Sequence, residues 1–176
     1  NGDDGTVKVF GDVVLHGVGV QGLGQSLDGG VVLVALLADQ HVHIGGVGGF
    51  QSQSVLNGIE ACAKFVEREI RRGKTYDAII MDPPSYGRGP GGEVWKLEEN
   101  LYPFVKLCAR VLSDKPLFVI LNSYTTGLAP SVLGYILQML VGRRFGGRVT
   151  WDELGLPCTD SGMALPCGAT GRWMSK

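Results

Sequence analysis

A chain of 176 residues, 44% apolar and 19% charged, is long enough for one sizeable core and has the composition of a single globular domain. Its net charge of -1 excludes the global basic field of a general nucleic-acid binder, and no uncharged apolar run of about 18 residues is present to cross a membrane as a helix. The four cysteines, at 62, 108, 158 and 167, lack C-x-x-C spacing, so no metal site and no disulfide framework is expected, and a reducing cytoplasm is the expected compartment.

The charge is unevenly spread. Residues 1–58 hold one base against five acids, and residues 59–176 hold fifteen bases against twelve acids. The first part also carries all three histidines, thirteen of the 28 glycines within residues 1–50, and no Arg, Trp, Tyr or Pro. Val13-Val14-Leu15 and Val31–Leu37 fit either strands or a buried helix. Between them Gly17-Val18-Gly19-Val20-Gln21-Gly22 satisfies G-x-G-x-x-G, with Asp39 twenty positions after Gly19. In a dinucleotide or nucleoside cofactor site such glycines allow a tight turn and close backbone approach, and the acid binds ribose hydroxyls. Gln25–Gly30 interrupts the helix that should follow, and in so glycine-rich a segment the match also arises by chance. His41 and His43 share one strand face without a third ligand, so a loose polar loop is the expectation there. Residues 1–58 read as an atypical glycine-rich segment outside the main fold, such as an out-of-frame stretch joined near Gly58.

From Ile59 the pattern is regular. Cys62, Phe65, Val66 and Ile70 lie at i, i+3, i+4 and i+8, and Gly73 is a suitable end, which predicts a helix of about three turns. Tyr76–Met81 is a short apolar run, as expected for a parallel strand covered on both faces. Pro83 and Pro84 cannot extend a central strand, so the chain must leave the sheet at Asp82, at the carboxyl end where ligands bind in open α/β sheets. Asp82 offers acceptor oxygens, the prolines a fixed backbone, and Tyr86 a flat ring. Together they suit a planar ligand with an amino edge, such as an unstacked base. Gly87–Gly92 reads as a flexible lid or a plain surface turn.

Asn100 is expected to cap a second helix, with Pro103 in its first turn and Phe104, Leu107, Cys108, Val111 and Leu112 as the buried stripe. Leu117–Leu121 is a second apolar strand. Asn122, Ser123, Tyr124, Thr125 and Thr126 at its end either contact a substrate or cap an ordinary turn. Pro130 opens a further helix, and Arg143-Arg144 complement its C-terminal dipole. The tail from Arg148 to Trp173 has short strand-like runs broken by Gly and Pro.

Asp82-Pro83-Pro84-Ser85-Tyr86 resembles the D/N-P-P-aromatic motif of class I S-adenosylmethionine-dependent methyltransferases. The longer strings DPPSYGRGPGGEVWKLEE, NSYTTGL (Asn122–Leu128) and LPCGATGRW (Leu165–Trp173) are similar to the bacterial large-subunit ribosomal RNA methyltransferase group, from about residue 59 onward. The resemblance implies the C-terminal portion of a Rossmann-like α/β fold with a terminal β-hairpin, S-adenosyl-L-methionine as cofactor, and RNA, ribosomal in particular, as substrate. It implies Asp82, Pro83, Pro84 and Tyr86 as catalytic residues, with Ser85, Arg88, Lys96, Asn122 and Ser123 binding substrate. Arg88 and Lys96 would meet phosphate. The cofactor-side candidates are Gly17, Gly19, Asp39 and Glu60. The family's apolar strand, cofactor loop and acid-acid-Cys sequence have no match at residues 10–25 and 60–62. Two other readings therefore stand beside methyl transfer: an inactive remnant lacking a working cofactor site, and a nicotinamide-dependent Rossmann oxidoreductase resting on Gly17, Gly19, Gly22 and Asp39.

Overall fold

The structure, a computed structural model, describes residues 36–37, 53–88 and 91–176, with residues 36–37 and 53–58 described by their backbone alone. Gly17, Gly19, Gly22, Asp39 and the three histidines lie outside the described residues.

Short strand β1 (Leu36–Leu37) lies ahead of helix α1 (Gln53–Arg71) and strand β2 (Ala78–Asp82). A small ribbon, β3 (Tyr86–Arg88) and β4 (Val94–Lys96), leads into α2 (Leu97–Cys108) and β5 (Phe118–Ser123). Helix α3 (Pro130–Leu137) continues through a π-helical turn into α4 (Arg143–Phe145). Strands β6 (Arg148–Pro157) and β7 (Ala164–Met174) end the chain as a hairpin. The main sheet has the order β1-β2-β5-β7-β6. β1, β2 and β5 are parallel, β7 runs against β5, and β6 runs against β7, so β6 is parallel to β5.

This order fixes the layering. The connections β1-α1-β2, β2-α2-β5 and β5-α3-β6 all move the same way across the sheet, so right-handed crossovers place all three helices on one face. Burial agrees. Ile79, Met81, Val119, Leu121, Ser123, Ala169 and Trp173, which share a face by register, are all buried. Ile80, Phe118, Ile120 and Arg172, pointing the other way, are only half-buried. Trp173, fully buried, donates from Nε1 to the Gly146 carbonyl at 2.7 Å and pins the hairpin's base to the end of α4.

Several elements differ from the sequence expectation, each for a local reason. α1 starts at Gln53, ahead of Ile59, and passes through Gly58, a glycine whose cost of about 1 kcal/mol within a helix is small beside the apolar face buried behind it. Its end is as expected, with Gly73 at φ 66°. There Glu69 is buried, bonded to the Tyr76 hydroxyl and to Arg72, so the turn into β2 has no orphan charge. α2 starts at Leu97, not after Asn100. Leu97 and Leu101 add a buried turn, Glu98 and Glu99 suit the positive helix end, and Asn100 donates to the Lys96 carbonyl from inside the helix. Pro103 consequently lies within the helix. The tail forms the expected terminal hairpin, with strands longer than the short runs of the sequence and one register shift near Leu154 and Gly155.

A candidate active site at the carboxyl edge of the sheet

The parallel strands β1, β2 and β5 end together, at Leu37, Asp82 and Ser123, and the β3–β4 ribbon springs from the same edge. Leu37 pairs with Asp82, and Asn122 follows the Met81–Leu121 pair, so Asp82 and Asn122 are neighbours on the half-buried face. Pro83 and Pro84, both buried, turn the chain out of the sheet at once.

Asp82 is the singular group here. Its Oδ1 is buried without a hydrogen-bond partner, alone in this respect among the described side chains. Burial pushes its carboxyl up from 3.8 to about 6, because a carboxylate that has lost water is harder to ionise. An unpaired buried acceptor costs roughly 1–3 kcal/mol, and a ligand donor would recover it.

The ribbon sets Tyr86 beside this edge. Tyr86 pairs with Lys96, Gly87 with Trp95 and Arg88 with Val94, so alternation buries Trp95 and exposes Tyr86, Arg88 and Val94. Trp95 donates from Nε1 to the Pro84 carbonyl at 2.7 Å and meets Phe104 edge-on at 5.8 Å, which ties the ribbon to both the proline turn and α2. Leu97 N–H donates to the Ser85 carbonyl at 3.0 Å. Tyr86 is 47% exposed, and its hydroxyl accepts from Arg88 Nε at 2.5 Å, so the ring is held at its hydroxyl end. Lys96 pairs with Glu99 at 2.8 Å. These bonds favour the charged forms of Arg88 and Lys96 and raise both above their usual values. Of the stretch read as a lid or a surface turn, Gly87 and Arg88 belong to strand β3 and Gly91 and Gly92 form an exposed turn ahead of β4, while Gly89 and Pro90 lie outside the described residues.

The β5 exit is built differently. Ser123 is buried, and its Oγ accepts the Thr125 N–H at 3.1 Å. Thr125 Oγ1 in turn meets Ser85 Oγ at 2.7 Å and joins the two loops. Ser85 and Ser123 thus each bond within the frame, while Asn122 stays half-buried beside Asp82. Gly168 crosses this turn so closely that a Cβ would lie 2.2 Å from the Ser123 carbonyl oxygen, and its φ is 133°.

Glu60 lies on α1 with its side chain exposed and paired to Lys64 at 3.2 Å, a solvated helix pair. Cys108 is buried and pushed up to about 12 by burial and then by Cys62; burial pushes Cys62 to about 11. Neither is a thiolate near neutral pH. No cluster of metal-ligating side chains occurs among the described residues, and no helix there is long and apolar enough to cross a membrane. Sequence reasoning gave no structural role to Trp95 or Gly168, while Thr125, read as a substrate contact or a turn cap, is bonded within the turn. Neither Trp95 nor Gly168 left a signal: Val94 and Trp95 are both apolar, and Trp95 finds Pro84 and Phe104 only in three dimensions.

The fold is Rossmann-like α/β, of the class I methyltransferase kind, with the terminal β-hairpin in place. The chain is similar to the SAM-dependent methyltransferase from Agrobacterium tumefaciens, with 35% identity and a TM-score of 0.57 over 65% of this chain and 38% of that one. It thus spans well under half the length of that protein. A candidate SAM-dependent methyltransferase from Streptococcus mutans matches at 20% identity and a TM-score of 0.41, over 62% of this chain and 28% of that one. No family model matches the sequence, and no curated protein does.

Proposed function

We propose that this chain forms part of an S-adenosylmethionine-dependent methyltransferase that acts on a nucleic-acid base, in RNA and specifically in ribosomal RNA of the cytoplasm. The observation that carries the reading is the buried, unpartnered Asp82 Oδ1 at a strand end, next to a ribbon that presents Tyr86. S-adenosylmethionine would supply the methyl group as an electrophile. Among the described residues, the carboxyl edge at Leu37 and Asp82 fits a ligand with polar hydrogens, and Glu60, exposed and paired to Lys64, does not. The likeness to the Agrobacterium enzyme supports the cofactor. The nicotinamide reading rests on Gly17, Gly19, Gly22 and Asp39, which lie outside the described residues.

In this reading the protein's task is to position the base. Asp82, ionised above about pH 6, accepts a hydrogen from the exocyclic amino group and holds its nitrogen toward the methyl donor. Pro83 and Pro84 keep that carboxylate at the strand end, and Tyr86 stacks on the ring of the base. Arg88 and Lys96, on the same exposed side of the ribbon, meet phosphate. The β6–β7 hairpin overruns the same edge but carries Asp152, Glu153 and Asp160 and no Lys or Arg from 149 to 171, so the nucleic acid runs along the ribbon. Amino-nitrogen methylation suits this site, because the Ser123–Thr126 turn holds no cysteine for attack on a pyrimidine ring.

The test is methyl transfer from labelled S-adenosylmethionine into RNA by the wild type, Asp82→Ala, Tyr86→Ala and Tyr86→Phe. A hydrogen bond to a charged group is worth about 1.5–3 kcal/mol, so Asp82→Ala should lose roughly one to two powers of ten. Tyr86→Ala should weaken base capture by a similar factor, with Tyr86→Phe mild because the ring face does the stacking. Full transfer by folded Asp82→Ala and Tyr86→Ala would remove this assignment.

A further inference from the structure

Strand β6 forms one edge of the main sheet among the described residues, with its outer side unpaired. Every residue from Trp151 to Pro157 is exposed, and Trp151 meets Tyr135 of α3, itself 60% exposed, at 5.7 Å between ring centroids. An open edge beside exposed aromatic rings is a template for another strand.

The strand's own chemistry selects which one. The Glu153 N–H donates to Asp152 Oδ1 at 2.8 Å, so that amide points away from β7. With a period of two, the polar backbone groups of Trp151 and Val149 point outward as well. Arg148 and Asp152 lie two periods apart on one face. An antiparallel copy centred on Thr150 sets Arg148 opposite Asp152 of the second copy, and Asp152 opposite its Arg148. In the same register Val149 and Trp151 face each other and exchange backbone bonds. Centring the pair on Trp151 instead sets Arg148 against a leucine, and centring it on Asp152 sets the two acids against each other. One register alone satisfies both charges twice, as a two-fold interface must.

We infer that β6 pairs with β6 of a second copy of this chain, antiparallel about Thr150, to make one continuous sheet across a two-fold axis. Because the paired strands run in opposite directions, the two carboxyl edges face opposite ways and both sites stay open.

Sedimentation velocity on the whole chain at low salt tests it, with circular dichroism to confirm folding. The wild type should be a concentration-dependent dimer. Arg148→Asp and Asp152→Arg should each weaken association by at least roughly tenfold, since two attractive pairs become two repulsive ones. Mixing the two single variants in equal amounts should restore dimers, because the reversed charges then face each other. A monomeric wild type would overturn the inference. So would dimers indifferent to both reversals, or folded single variants that fail to associate when mixed.

Discussion

The two strand exits at the carboxyl edge, after β2 and after β5, hold similar polar residues and treat them in opposite ways. After β5 the chain is turned by its own side chains: Ser123 accepts the Thr125 amide and Thr125 meets Ser85. After β2 the chain is turned by Pro83 and Pro84, which have no N–H to satisfy, and half-buried Asp82 is left with its Oδ1 buried and unmatched. The difference teaches how to rank polar residues at a site. A hydroxyl that completes a turn is held in place by that turn. A carboxylate kept unsatisfied by rigid neighbours is available to a ligand, at a standing cost to stability.

The sharpest way to break the comparison is through the seam where β7 crosses the β5 exit. Gly168→Ala would place a Cβ 2.2 Å from the Ser123 carbonyl oxygen and 2.8 Å from the Tyr124 Cα, at a φ of 133° that L side chains rarely adopt. Backbone must move on both counts, so the variant should lose about 2–5 kcal/mol of stability in urea unfolding. A loss below about 1 kcal/mol would mean that the β5 turn is not held by this contact.

A smaller effect is expected from Ser123→Ala. It strands the Thr125 amide and should cost about 1–2 kcal/mol in the same assay. If the hydroxyl belongs to the frame, methyl transfer per folded molecule should change less than about threefold. A large loss of transfer at unchanged stability would move Ser123 from the frame to the substrate.

The same contrast explains what could be read from the residues alone. The strand ending at Asp82 was legible because an apolar run followed by two prolines permits almost no other structure. Gly73 and Pro130 likewise mark the helix boundary where they stand. α1 ran past its expected start because a single glycine is a weak breaker against a packed face. The ribbon was hidden because each of its strands is three residues long and depends on Trp95 finding Pro84 and Phe104, contacts made only in three dimensions. The hydrogen-bond partners of Ser85 and Ser123 were illegible for a related reason: a serine's partner is a matter of geometry, and neighbouring sequence does not fix it.

The smallest expected effect isolates the cost of Asp82 itself. Its folded value of about 6 lies above the 3.8 of the free group, so between these values the folded chain holds the proton more tightly than the unfolded chain. The stability this provides is fully present below about pH 4 and is lost as pH rises through about 6, after which the penalty stays constant. Asp82→Asn keeps the shape and cannot ionise. Its melting temperature relative to the wild type should therefore be lowest near pH 4, rise between pH 4 and 6, and level off by pH 8, opening a gap of a few degrees. Other acids titrate alike in both proteins and cancel in the difference. Melting curves that stay parallel from pH 4 to pH 8 would show that Asp82 is solvated or paired after all. The availability of its carboxylate, on which the contrast between the two exits depends, would then be lost without any assay of catalysis.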